Sequence, residues 1–232
     1  MNKKIIIPNA ITGLSLISGL TALHFTFENN FILAAWLIAF SMLCDGLDGK
    51  IARLLNAQSR FGAQFDTLSD FVAFGVVPGF MVYRYKLSEL STIGIIVAAF
   101  YVFAGSYRLV RFTLKNHHDN HKKQPFIGLP IPAGAGIIAS FIIFDNYQNL
   151  SARFFLITTF FAGLLMISQI EYLPLEKGKK LTKESKFFIV AAVISLLFVI
   201  KFSYFIFGLW ISLYILYGIV RQIILFVNKT RN

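Results

Sequence analysis

Eight apolar runs, at roughly 8–27, 31–52, 63–83, 90–112, 128–146, 151–170, 187–201 and 203–227, leave this chain little choice of fold. Most of them approach the ~20 residues that a helix needs to cross the hydrocarbon of a bilayer. In lipid every backbone N–H and C=O must find its partner inside the protein, and a run of this length does so as a helix. The expected class is therefore all-α, a polytopic membrane helical bundle. A six-helix core (1–170) leads through a cytoplasmic linker (171–186, with Pro174 and Gly178) to two C-terminal transmembrane helices (187–232). Only 14% of the residues are charged, against about 25% in soluble domains, too few to cover a water-facing surface. No small-residue cleavage site follows the first run, so it reads as a span and not as a removable signal.

The net charge of +11 would suggest nucleic acid in a soluble protein, but here the cations lie in short segments between spans. With the N-terminus inside, 18 of the 22 Lys and Arg residues fall on the inner side, and only Arg84, Lys86, Arg153 and Lys201 fall outside. The positive-inside rule then puts both termini in the cytoplasm, with the protein in the cell membrane and no nucleic acid among its partners. The single cysteine, Cys44, excludes a disulfide framework and any multi-cysteine metal site. His117, His118 and His121, beside Asp119 and Asn120, read as a solvated polar loop rather than a metal cluster.

The chemistry is concentrated in residues 45–70, DGLDGKIARLLNAQSRFGAQFDTLSD. Asp45 and Asp48 are three apart and Asp66 and Asp70 four apart, so each pair shares one helix face. Two helix ends joined by a short turn can bring both pairs to one point. Ionised carboxylates gathered there repel one another, and a divalent cation, or two, removes the conflict. Oxygen-only ligands favour Mg²⁺, Mn²⁺ or Ca²⁺ over Zn²⁺. Carboxylates on apolar helices also carry an insertion penalty of roughly 2.5–3.5 kcal/mol each at mid-bilayer, less near the interface. Gly49, Ala52 and Gly62 leave room beside them for a ligand to approach the backbone, and Arg53 offers a planar fork suited to phosphate. Metal, Arg and open backbone together describe a diphosphate site. A cation channel or transporter would spread its acids through the membrane depth, whereas these four gather at one turn.

The pattern Asp45-x2-Asp48-Gly49-x2-Ala52-Arg53-x8-Gly62-x3-Asp66-x3-Asp70 resembles, at every fixed position, the signature of the CDP-alcohol phosphotransferases. The resemblance covers 8–170 and implies transfer of a phosphatidyl group from a CDP-linked lipid to an alcohol, with release of CMP. It implies that Asp45, Asp48, Asp66 and Asp70 hold two divalent ions and that Asp70 is also the base for the incoming hydroxyl. Gly49, Ala52, Arg53 and Gly62 would line the CDP pocket, and Pro8, Asn9 and Thr12 resemble the family's first-helix nucleotide contacts. An ordinary helix start with Pro in its first turn would equally account for those three.

Three further segments, FDTLSDFVAFGVVP (65–78), YRLVRF (107–112) and FIGLPIPAGAG (126–136), resemble the phosphatidylserine synthase branch of that family. The implied partners are CDP-diacylglycerol, L-serine and CMP, with a second copy of the chain in a homodimer. Arg108 and Arg111 could bind the acceptor carboxylate or the lipid phosphate, or anchor the chain at the membrane surface. The branch has Phe-Asn after the second Arg, where this chain has Phe112-Thr113. Glycerol 3-phosphate, inositol and inositol phosphate are the alternative acceptors.

Overall fold

The computed structural model describes residues 3–118 and 126–172. The expected linker beyond Tyr172, the seventh and eighth spans, and 119–121 of the expected polar loop lie outside the described residues, while the backbone at His117 and His118 is helical and not loop. Helix α1 covers Lys3–Phe27 and α2 covers Phe31–Leu54. Helix α3, Arg60–Asp70, passes through a π-helical turn at Phe71–Val76 into α4, Val77–Tyr85, forming one rod of 26 residues. A 3₁₀ turn at Leu87–Leu90 leads to α5, Ser91–His118, and then come α6, Ile131–Gln148, and α7, Ala152–Ile167. A two-residue antiparallel pair, β1 Phe126–Ile127 with β2 Glu171–Tyr172, is the sole extended pairing among the described residues.

The first six expected spans each fall on one of these rods. Among the described residues four helices are long and apolar enough to cross a membrane, Lys4–Phe27, Phe31–Leu54, Arg60–Tyr85 and Leu87–Leu114. The chain is an integral membrane helical bundle. Two boundaries differ from the sequence expectation. Helix α1 begins five residues before Pro8, so that proline lies inside the helix and not at its first turn. The carbonyl it deprives of a donor belongs to Lys4, which is exposed at the helix end. Helix α5 continues to His118, past the expected end near 112.

Short polar residues make the turns. Asn30, Ser59 and Ser151 cap α2, α3 and α7 by accepting the N–H of Leu33, Gly62 and Phe154. Asn29, Asn56 and Asn149 supply left-handed backbone at the reversals, where asparagine is tolerated best after glycine.

Large apolar residues cover the outside as well as the core: Ile17, Leu43, Leu68, Ile93 and Phe103 face outward, while the interior mixes Phe74, Met81, Tyr101 and Ile131 with alanine, glycine and hydroxyls. Without a hydrophobic force between helices in lipid, close approach of small residues and interhelical hydrogen bonds hold the bundle. Ser15 and Ser41 exchange such bonds across α1 and α2, and Ser18 donates to the Leu37 carbonyl at 2.8 Å. Helix α6 is the most enclosed, burying Gly134 through Ser140 along its first half.

Candidate active site

Three helices deliver the site. Near its C-terminal end α2 carries Asp45, Asp48, Gly49, Ala52 and Arg53. The chain reverses within 55–59: Asn56 takes a left-handed conformation, the Ala57 N–H bonds the Ala52 carbonyl at 2.9 Å, and Ser59 starts α3. Helix α3 then returns antiparallel with Gly62, Asp66 and Asp70, and α1 supplies Pro8, Asn9 and Thr12.

Asp45, Asp48 and Asp66 each bring one carboxylate oxygen to within 4.8 Å of the other two. Asp70, one turn beyond Asp66, is close enough to Asp45 for the two carboxylates to influence each other. Thr12 donates to Asp48 Oδ2 at 2.6 Å, and Ser69 donates to the Thr12 carbonyl at 3.2 Å, so α1, α2 and α3 are tied together at the cluster. Asp66 Oδ1 and Asp70 Oδ1 are buried with no hydrogen-bond partner among the described residues. Arg108, itself buried on α5, is close enough to attract both Asp45 and Asp70.

This arrangement fits a divalent cation. Like charges at the 4.8 Å limit repel by about 3.5 kcal/mol per pair at an effective dielectric of ~20. Two nearby arginines, Arg108 beside Asp45 and Asp70 and Arg53 beside Asp48, leave four carboxylates in excess of positive charge, and two acceptor oxygens have no partner among the described residues. An ion among hard oxygen donors answers both problems.

Beside the acids a cleft is lined by Pro8, Asn9, Thr12, Asp48, Gly49, Ala52, Arg53, Gly62 and Asp66, with Ala57, Gln58, Ser59 and Ala63 from the reversal. All seven residues expected at the nucleotide, Pro8 included, therefore lie on its wall. A Cβ on Gly62 would meet Asn9 Oδ1 at 2.8 Å and Ser59 Oγ at 3.0 Å, so α1 approaches α3 only because glycine is there. Ser59 and Ser69 were not singled out from the sequence. Ser59 was legible as a helix cap three residues before Gly62, whereas nothing in the sequence marks the Ser69 bond to α1.

The two arginines of α5 part company. Arg108 stacks on Phe112 at 5.2 Å and faces the aspartates. Arg111 instead donates to the carbonyls of Ile167, Met166 and Ser168, at 2.9, 3.1 and 3.2 Å, closing the C-terminal end of α7. Gly128 completes this clip at φ 80°, where a Cβ would collide with the Met166 carbonyl and the Arg111 guanidinium. This engagement of Arg111 with backbone was not expected from the sequence.

The profile of the CDP-alcohol phosphatidyltransferases matches residues 5–170. The chain belongs to that family, and it is a membrane-bound transferase of phospholipid synthesis. A Helicobacter pylori (strain J99) relative, named CDP-diacylglycerol–serine O-phosphatidyltransferase, is 35% identical over 98% of this chain and 95% of its own length. A relative of the same name from Methanocaldococcus jannaschii is 34% identical over 96% of this chain and 97% of its own. An archaetidylserine synthase from Methanothermobacter thermautotrophicus is 34% identical over 72% of this chain and 70% of its own.

Proposed function

We propose that the chain transfers the phosphatidyl group of CDP-diacylglycerol to L-serine, giving phosphatidylserine and CMP. The observation that carries the reading is the meeting of Asp45, Asp48 and Asp66, with Asp70 beside them, at a cleft lined by Asn9, Thr12, Gly49, Ala52, Arg53 and Gly62. Serine as the acceptor is supported by the names of relatives that align with nearly the whole chain.

Asp45, Asp48, Asp66 and Asp70 would hold the divalent metal, two ions of Mg²⁺ or Mn²⁺. When bound, the metal neutralises the diphosphate and stabilises the departing oxygen. The cleft residues hold the CDP group, with Arg53 against its phosphates. A serine hydroxyl is a weak nucleophile at neutral pH, so it needs a positioned base. Asp70, with a buried oxygen that has no partner among the described residues, takes the hydroxyl proton as the serine oxygen attacks the lipid-bearing phosphorus and CMP leaves. Arg108, next to Asp45 and Asp70, is placed to grip the serine carboxylate.

The site is proposed to face the cytoplasm, where serine enters and CMP leaves, because the cations cluster on that side in the eight-span topology. Residues 171–232 are proposed to be peripheral to the chemistry, a view supported by the family match ending at 170. CMP release from CDP-diacylglycerol, measured with serine, glycerol 3-phosphate, inositol and inositol phosphate in turn, tests the acceptor. Release with serine alone is expected, and release with another alcohol but not serine overturns the assignment.

A further inference from the structure

Asp66 and Asp70 stand on a rod that changes its winding immediately after Asp70, at the π-helical turn Phe71–Val76. The turn has an identifiable cause. Pro78 has no N–H, and in an α-helix its ring would crowd the carbonyl four residues back, that of Phe74. The wider turn, in which the Val77 N–H bonds the Val72 carbonyl five residues back, relieves that crowding. Pro78 also withholds the donor that an α-helix would offer the Phe74 carbonyl. Tyr101, fully buried on α5, supplies one instead, donating its hydroxyl to that carbonyl at 2.9 Å.

We propose that Tyr101 is a positioning residue for Asp66 and Asp70: its bond to the Phe74 carbonyl keeps the π turn open and so sets the rotation of α3 on α4. A π turn spends one residue more than an α turn, and one residue is about 100° of rotation. Helix α4 is locked in the core by Val77, Met81 and Val82, all buried, so a change of winding falls on α3. Closing the turn would swing Asp66 and Asp70 away from Asp45 and Asp48. Sequence position hides this link, because Tyr101 lies 31 residues beyond Asp70.

The inference rests on the phosphatidyl-transfer reading, and its test separates the two. Tyr101→Phe keeps the ring and removes the donor. In the full-length chain in lipid nanodiscs, kcat for CMP release is expected to fall about 10- to 100-fold, as misplacement remote from the chemistry does. The KM for CDP-diacylglycerol, whose cleft α3 lines with Gly62 and Asp66, should rise as well, while that for serine stays within about twofold. Mn²⁺ titration followed by electron paramagnetic resonance, which needs no turnover, should register weaker binding. Tyr85→Phe is the control: it removes a hydroxyl bonded to Asp145 at 2.7 Å, away from the site, and should lower thermal stability with kcat and Mn²⁺ affinity unchanged. Pro78→Ala, which suits a helix and restores the N–H, removes the cause of the wide turn and should also weaken Mn²⁺ binding. A Tyr101→Phe protein that behaves like Tyr85→Phe would overturn the proposal, as would wild-type Mn²⁺ affinity in Pro78→Ala. A wild type that binds Mn²⁺ yet releases no CMP with serine would instead overturn the acceptor reading, and the Mn²⁺ comparison would still decide Tyr101.

Discussion

Two regions of this bundle enclose carboxylates, and they treat them in opposite ways. Asp145, near the C-terminal end of α6 and 6% exposed, is satisfied by the protein alone. Lys86 lies 3.5 Å from its Oδ2, the Tyr85 hydroxyl donates to the same oxygen, and the Leu150 N–H donates to Oδ1. The site cluster has three acids within 4.8 Å of one another, a fourth beside them, and two buried oxygens without a partner among the described residues. One arrangement ties α4 to the α6–α7 turn and asks for nothing more. The other offers more carboxylate than its neighbouring arginines balance, and so has room for a cation. Burial of an acid is thus no sign of function by itself; the difference lies in whether the surrounding protein completes its hydrogen bonds and charge.

The widest separation between the regions should come from truncating the acids. Asp45→Ala, Asp48→Ala, Asp66→Ala and Asp70→Ala should each cut serine-dependent CMP release by more than the about 100-fold that loss of a metal's outer partner costs. Near-normal turnover in any one of them would remove that residue from the site. Asp70→Asn should lose about 10²- to 10⁴-fold in kcat, the range for a general base, with CDP-diacylglycerol binding by equilibrium dialysis largely kept. Equal loss of binding and turnover would make Asp70 a ligand only.

Smaller effects sharpen the contrast. Arg108→Lys keeps the charge and removes the fork, so the KM for serine should rise about tenfold while that for CDP-diacylglycerol holds. Equal rises for both would move Arg108 to the lipid phosphate. Asp145→Ala should leave kcat intact and cost about 1–3 kcal/mol of stability, the range for leaving buried donors unserved. A loss of turnover in the folded variant would join the two regions functionally. Lys86→Met, which leaves the buried Asp145 carboxylate without its cation, should cost a comparable amount of stability and also spare kcat.

What could be read from the chain follows from how local each cause is. The rods were legible because the lipid demands continuous apolar helices, and α1 to α7 follow the first six runs to within a few residues at most ends. The two Asp pairs were legible because three- and four-residue spacings fix a helix face whatever lies around them. Arg111 was not, because its partners are backbone carbonyls some 55 residues away on α7, and a carbonyl has no identity in sequence. Asp145 passed unnoticed as one acid in an apolar run, since the tyrosine and lysine that satisfy it come from α4 and the turn after it. The π turn combines both situations. Pro78 announces a fault in the helix, but the hydroxyl that completes it comes from α5.

The central claim is that the aspartate cluster acts by holding a divalent metal against the diphosphate. Serine-dependent CMP release should be measured on the full-length protein after exhaustive EDTA treatment and again after Mg²⁺ or Mn²⁺ is returned. The account predicts that release stops on chelation and recovers when the metal is restored. Undiminished release after chelation, with metal content verified by elemental analysis, would contradict it.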